Sequence, residues 1–274
     1  IRDLRMSRGL GDVYKRQLRN SDIEIRGDYM KKNNLIWIII CNILGALLLG
    51  SWLASTPTAG YHGPWLALDQ SVFYFFNQHL AKGTAFTYFI AFVNLRAFDV
   101  VAFVAMLAIF YSYYCKSNVE GKRWLFCIGV AMLVSAVIIK QFDKLLPIDR
   151  VSASVYFDQL YHNVNWVSQL SGWPAKDRSG SSFPGDHGMM LLIFAVYMWK
   201  YIGKDAFIKA LAVFIIFSLP RIMGGAHWFT DVFVGSVSFV LLVLSWILLT
   251  PLADIFIGWL EQKLPLRWFV KKRE

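Results

Sequence analysis

The sequence predicts an all-α membrane protein, a polytopic bundle of about six transmembrane helices with a further helix at the membrane interface. Three observations support this fold class. The 274 residues are 57% hydrophobic and only 17% charged, whereas soluble domains carry about a quarter charged residues. Apolar runs long enough to cross a bilayer recur along the chain. The basic residues behind the net charge of +10 lie in short clusters between these runs, which favours membrane topology and anionic-lipid contacts over nucleic-acid binding.

Residues 1–29 differ from the rest of the chain. They are rich in arginine, show no apolar periodicity, and at 12–17 resemble translated sequencing-adaptor sequence. We interpret them as a non-native or disordered leader, with a basic membrane-binding arm as the alternative. Residues 30–274 are then expected to form a single transmembrane domain.

The remaining elements follow from the apolar runs in order. An aromatic, amphipathic segment at 69–80 is typical of an interfacial helix, and a short apolar run at 84–95 precedes a polar turn. The tail at 252–274 is amphipathic and ends in basic residues. The six predicted spans are 34–54, 97–114, 124–142, 188–202, 206–220 and 229–250.

The distribution of basic residues between the spans predicts their orientation. Basic clusters lie at 31–32, 116–123 and 200–209 and in the carboxyl-terminal tail. Six alternating spans place these clusters on one face, which the positive-inside rule makes cytoplasmic, together with both termini. The long polar loop 143–186 and the short turn 220–228 are then expected to lie together on the outer face.

Ionisable residues beside membrane spans are costly and therefore suggest a function. Two arginines and two histidines on the outer face suit a phosphate ester. Guanidinium groups bind non-bridging oxygens, while one histidine can act as nucleophile and another as general acid. Asp231 follows His227 by one helical turn, so its carboxylate can orient the imidazole. The four residues expected to converge are Arg150, His187, Arg221 and His227.

The segment 182–187 opens the fourth predicted span. Its Pro/Gly turn is expected to present backbone N–H groups at a helix N-terminus, which favours an anion. We therefore include Gly185 and Asp186 among the phosphate-binding candidates. His187, at the same helix start, is placed to protonate a departing phosphate oxygen.

Further polar residues lie beside this predicted site. Asn94, Arg96 and Asp99 occupy the outer end of the second span. They are candidate contacts for a phosphate or sugar headgroup, with a purely structural pairing of Arg96 and Asp99 as the alternative. Arg178 in the long loop is a similar candidate, although a solvated loop would also explain it.

The spacing of these residues resembles that of a known family. Segment 220–231 is similar to the third motif of the type 2 phosphatidic acid phosphatase superfamily, in which Arg, five residues, His, three residues and Asp follow one another. Segment 183–187 resembles the second motif, and Arg150 resembles the arginine that closes the first. The resemblance covers residues 30–274. It is strongest to the branch that moves the terminal phosphate of undecaprenyl diphosphate to the 1-phosphate of lipid A.

The resemblance implies a bacterial inner-membrane phosphotransferase with a periplasmic active site and no metal or other cofactor. His227 is expected to attack the terminal phosphorus and form a phosphohistidine. Arg150 and Arg221 would neutralise the phosphate oxygens, and His187 would protonate the leaving group. The expected partners are the two lipid substrates and the membrane, with no nucleic acid.

The chain also departs from the family's motifs. Gly185 and Asp186 replace the Ser and Gly of the second motif, and Pro220 replaces the Ser that usually precedes the motif arginine. Asp143 stands where the first motif has a lysine, so Lys144 is only a candidate for that cation.

Two alternative functions fit the same residues less completely. A lipid diphosphate phosphatase would use the same site with water as the acceptor. A transporter or scaffold would place ionisable residues at mid-span depth, whereas these residues collect at one edge.

Overall fold

Long apolar helices account for most of the structure, a computed structural model that describes residues 32–55, 63–143 and 148–270. No β-strand occurs within those ranges. The helices are α1 (Lys32–Ser55), α2 (Pro64–Asn77), α3 (Ala85–Val93), α4 (Arg96–Lys116), α5 (Val119–Asp143), α6 (Ala153–Tyr161), α7 (Val167–Ser171), α8 (Asp186–Tyr201), α9 (Lys204–Met223), α10 (Asp231–Leu249) and α11 (Leu252–Lys263).

Five helices, α1, α4, α5, α9 and α10, are long and apolar enough to cross a membrane. They match five of the six predicted spans within a few residues. The predicted fourth span is α8, whose 16 residues extend about 24 Å. That is short of the roughly 20 residues that a full crossing usually takes, so α8 is the predicted span that falls below this length, although it packs antiparallel along α9. The predicted all-α membrane bundle is confirmed.

The outer surfaces of the helices are apolar, as expected for contact with lipid. Only 6% of the most apolar 18-residue stretch of α4 is buried inside the protein. Its Val100, Phe103 and Leu107 side chains are exposed. Apolar surface of this extent is rare on soluble monomers. Acyl chains are the environment that suits it.

A two-residue turn joins α8 to α9, so the two helices run antiparallel side by side. Ala195, Ala206 and Ala210 are fully buried in one apolar cluster of this helix pair, and small side chains allow helices to approach closely. The hairpin brings the start of α8, with His187, to the same end of the bundle as the end of α9, with Arg221.

Helix α10 begins with a π-helical stretch, Asp231–Ser236, a geometry that is common at functional sites. A Cβ atom added at Gly235 would lie 2.9 Å from Cβ of Pro184 and 3.0 Å from Cε2 of Phe183. Gly235 therefore allows the loop before α8 to lie directly against α10.

Helix α2 contains the predicted interfacial segment but begins earlier, at Pro64, where proline suits the first turn of a helix. Its Phe73 is buried against Phe157 of α6 and belongs to the same cluster as Trp228. Phe75 on the same helix is exposed. Helix α2 thus packs one face on the protein and leaves an aromatic face open.

Candidate active site

The predicted catalytic residues lie at one end of the bundle in two adjacent groups. One group surrounds His227, and the other surrounds Arg221 and His187. The imidazoles of His187 and His227 are close enough to interact electrostatically.

His227 lies in the short loop between α9 and α10 and is 9% exposed. Its Nδ1 atom is 2.9 Å from the carbonyl oxygen of Ser182 and 3.3 Å from Oδ2 of Asp231. A carbonyl oxygen can only accept, so Nδ1 carries the hydrogen and donates it. The Nε2 lone pair is then available to attack phosphorus.

Glycine shapes the loop that carries His227. Gly225 has φ +79°, which favours glycine, and a Cβ atom there would lie 2.9 Å from Cε2 of Phe73. The Gly225 carbonyl accepts a hydrogen bond from the backbone N–H of Ser154. The loop is therefore fixed to both α2 and α6.

Arg150 lies behind the His227–Asp231 pair. Its Nη1 donates to Oδ1 of Asp231 at 2.6 Å, and its Nη2 donates to Oδ2 of Asp69 at 2.8 Å. The guanidinium also stacks over the Trp228 ring at 4.1 Å. The arginine expected to bind substrate phosphate is thus engaged by protein carboxylates, in an arrangement that positions Asp231.

Asp69 is a site residue that was not predicted, and its side chain is completely buried. Its Oδ1 accepts from the backbone N–H of Thr230 at 2.9 Å, and its Oδ2 accepts from the Thr230 hydroxyl at 2.6 Å. Asp69 therefore ties α2 to the start of α10. A carboxylate in an otherwise aromatic segment beside the membrane was the signal that could have identified it.

The second group centres on Asp99. Its Oδ1 accepts from Nη2 of Arg221 and lies 3.4 Å from Nε2 of His187. The structural pairing of Asp99 with Arg96 is therefore wrong, because Asp99 joins α4 to the catalytic ends of α8 and α9.

Asn94 is held inside the protein, and its predicted headgroup contact stays a prediction. Its side chain is fully buried, and its Nδ2 donates to the carbonyl oxygen of Pro220 at 2.8 Å. The backbone carbonyl oxygen of Asn94 accepts from Nη1 of Arg221 at 3.3 Å. Asn94 thus anchors the end of α9 and orients Arg221.

The phosphate contacts expected at the start of α8 are only partly available. The Gly185 N–H donates to the Asp231 carbonyl oxygen at 2.9 Å, so the predicted phosphate contact would require this hydrogen bond to break. The Asp186 side chain is exposed and forms an ion pair with Lys140 Nζ at 2.9 Å. Lys140 therefore supplies a cation beside α8, while the candidate Lys144 lies outside the described residues.

Basic residues of the loop before α8 also lie near Arg221 and Asp99. The backbone N–H of Lys176 donates to the backbone carbonyl oxygen of Asn94 at 2.9 Å. Burial lowers the pKa of the Lys176 ammonium, and the nearby Arg221 guanidinium lowers it further. Arg178 is largely exposed, contacts Asp177 through Nε at 3.2 Å, and stacks over Trp166.

The side chains of the site suit a negatively charged phosphate ester as substrate. In the part of the chain that the structure describes, no group of three or more His, Cys, Asp or Glu residues could hold a metal ion. The side chains that meet here provide a histidine with a free Nε2, a second histidine and several cations. Such a set suits a displacement at phosphorus.

Comparisons with known proteins agree with this chemistry. The model of the PAP2 superfamily matches residues 154–253, a region that holds His187, Arg221, His227 and Asp231. The lipid A 1-diphosphate synthase of Escherichia coli (strain K12) is 45% identical over 233 residues, which are 85% of this chain and 95% of that protein. No solved structure is significantly similar to the chain.

Proposed function

The chain belongs to the PAP2 superfamily, and from this premise we propose that it transfers the terminal phosphate of undecaprenyl diphosphate to the 1-phosphate of lipid A. As a member of that family with such a relative, it is a lipid phosphotransferase. The name of the relative supports lipid A as the acceptor. The observation that carries the mechanism is the Nδ1 contact with the Ser182 carbonyl, which leaves Nε2 of His227 free.

The first half-reaction moves the phosphoryl group to the enzyme. Nε2 of His227 attacks the terminal phosphorus and forms a P–N bond, while the bond from that phosphorus to the bridging oxygen breaks. The bridging oxygen leaves with the electron pair as part of undecaprenyl phosphate and takes a proton from His187. Arg221 neutralises the oxygens of the transferred group as their charge rearranges.

The second half-reaction moves the phosphoryl group to the acceptor. An oxygen of the lipid A 1-phosphate attacks the phosphorus, the P–N bond breaks, and its electron pair returns to Nε2. His187 takes up the proton that the acceptor phosphate releases. Asp231, held by Arg150, stabilises the cationic ring of the phosphorylated His227 and keeps it in place.

The proposed location is the bacterial inner membrane, with the site on the periplasmic face and both termini in the cytoplasm. Lys200 and Lys204 flank the turn between α8 and α9, at the end of the hairpin opposite His187 and Arg221. The positive-inside rule assigns the lysine end to the cytoplasm.

The test uses undecaprenyl diphosphate labelled in its terminal phosphate, with the purified protein and with or without lipid A. We expect the label to appear in lipid A diphosphate. Abundant labelled inorganic phosphate with no labelled lipid A would instead identify a phosphatase, since the His187 side chain is 34% exposed and within reach of water.

His227→Ala is expected to abolish both transfer and the labelled protein intermediate, which should be acid-labile and alkali-stable as a phosphoramidate is. The matched control is His162→Asn. His162 is exposed, with φ +53°, and asparagine tolerates that backbone conformation. Full activity of His227→Ala would exclude His227 as the nucleophile.

A further inference from the structure

A cavity of about 730 Å³ lies beside the catalytic group, between the first turn of α4 and the loop that leads to α8. This volume is in the range of small-molecule binding pockets. Residues 95–97, Ser168 and residues 174–178 line it. We call it the basic pocket.

The charges that line the basic pocket are mostly positive. Arg96, Lys176 and Arg178 contribute cations. The carboxylate of Asp177 is turned inward, being 3% exposed and accepting the Ser168 N–H at 2.8 Å. The pocket therefore presents cationic groups to a ligand while its acidic residue is used by the protein.

Two of these cations form no direct ion pair. The Lys176 ammonium and the Arg96 guanidinium make no hydrogen bond or ion pair with any residue that the structure describes. They are close enough to repel each other, and the Asp99 and Asp186 carboxylates attract Lys176 without touching it. Lys176 is also half-buried. A half-buried ammonium without a direct partner, next to an exposed guanidinium, is stabilised by an added anion. This arrangement indicates an anionic ligand.

The basic pocket and the catalytic group share a wall. The backbone carbonyl oxygen of Asn94 accepts both from the backbone N–H of Lys176 at 2.9 Å and from Nη1 of Arg221 at 3.3 Å. An anion held by Lys176 would thus lie next to the arginine that faces the transferred phosphoryl group.

The loop that forms the pocket is held in place before any ligand binds. The Ser152 N–H donates to the Ser179 carbonyl oxygen, and the Ser179 N–H donates to the Ser152 hydroxyl, both at 2.9 Å. The Ser154 hydroxyl donates to the Asp177 carbonyl oxygen. A site fixed in this way loses little conformational entropy on binding.

We propose that the basic pocket binds the phosphate monoester of the acceptor lipid and the sugar ring that carries it. This inference rests on the proposed function. The donor diphosphate must reach His227, His187 and Arg221, whereas the pocket lies between the start of α4 and the 174–178 loop. Filling it with a phosphorylated acceptor places an acceptor oxygen beside the phosphohistidine and favours transfer over hydrolysis.

The test compares the purified full chain with the double variant Lys176→Gln, Arg96→Gln. Because neither side chain makes a hydrogen bond or a direct ion pair with the described residues, folding should be retained, which thermal unfolding checks. The KM for lipid A is expected to rise about tenfold or more for each charge-assisted hydrogen bond removed, with the KM for undecaprenyl diphosphate within about twofold. Lys82→Gln, an exposed lysine in the turn between α2 and α3, is the matched control.

A binding measurement separates this inference from the proposed function. Titration with glucosamine 1-phosphate should show binding to the unmodified chain and at least tenfold weaker binding to the double variant. Equal binding by both proteins, or an equal rise in the KM for the donor, would overturn the acceptor assignment. If the chain formed no lipid A diphosphate at all, the proposed function would fail, and the titration would still decide the ligand of the pocket.

Discussion

His227 is constrained on one side of its ring and open on the other. Nδ1 faces the Ser182 carbonyl and the Asp231 carboxylate, so the tautomer that leaves Nε2 unprotonated is selected before substrate arrives. Arg150 and Asp69 in turn hold Asp231, which makes His227 the last member of a buried chain of charged hydrogen bonds. Such chains are strong when every member is satisfied.

Asp69→Asn should therefore affect catalysis through Arg150. The variant keeps the volume of the side chain but removes one of the two carboxylates that compensate the buried guanidinium, at a cost of about 3–5 kcal/mol in stability. We expect kcat per folded enzyme to fall about tenfold or more, with the donor KM nearly unchanged because Asp69 touches no substrate. Steady-state kinetics and thermal unfolding measure both effects.

The control for this variant is Asp158→Asn on α6, outside the catalytic group. A large rise in the donor KM of Asp69→Asn, with kcat retained, would show that Asp69 contacts substrate directly. It would then be a binding residue rather than a positioning residue.

Some site residues could be predicted from the sequence because their spacing is local. His227 and Asp231 lie one helical turn apart, and that spacing alone places the carboxylate beside the ring. Asp69 and Asn94 could not be assigned in this way, because their partners Thr230 and Pro220 are 161 and 126 residues away in the chain. Contacts over such distances depend on how the helices pack.

At the scale of the elements, the loop before α8 connects the two groups of catalytic residues. It supplies the Ser182 carbonyl to His227 and continues directly into the turn of α8 that holds His187. Gly235 on α10 makes room for this loop at Phe183 and Pro184. The geometry of both histidines thus depends on one close helix–loop contact.

Gly235→Ala is predicted to disturb that contact. Its Cβ atom would lie 2.9 Å from Cβ of Pro184, and relieving such an overlap costs about 1–3 kcal/mol. We expect a lower unfolding temperature and a larger loss of transfer activity than the stability change explains. Gly50→Ala in α1, where a Cβ atom meets nothing within 4 Å, should leave both measurements near those of the unmodified chain. Equal unfolding temperatures and equal transfer activities of the two variants would argue against the contact between Gly235 and the loop before α8.

The positions of most helices could be predicted because long apolar runs have few alternatives in a membrane protein. The length of α8 was harder to assess. An apolar run of 15 residues at 188–202 is compatible with a short span or with a buried helix, and periodicity alone does not separate them. The structure shows a helix with more than half of its residues buried.

At the scale of the whole molecule, the two ends of the bundle carry different sets of polar residues. Lys116, Lys200 and Lys204 lie at the helix ends on one side, and His187 and Arg221 lie on the other. Polar chemistry is thereby kept out of the acyl-chain region, where ionisable groups are costly.

This asymmetry predicts which positions a membrane-impermeant maleimide reaches in intact bacterial cells. In a Cys115→Ser background, Gln159→Cys on the catalytic side should be labelled. Lys204→Cys at the α8–α9 turn should be labelled only after the inner membrane is permeabilised. The reverse pattern would place the catalytic end in the cytoplasm.

The shortness of α8 has a consequence for how a lipid meets the enzyme. Helices α8 and α9 share a turn at the lysine end, and α8 is four residues shorter (16 against 20). The mouth of the site at the start of α8 is therefore recessed by about 6 Å relative to the end of α9. A bilayer beside such a recess becomes thinner or dips toward it. In the proposed reaction, a polyisoprenoid diphosphate presents its phosphorus to His227 there while its hydrocarbon tail stays among the surrounding lipids.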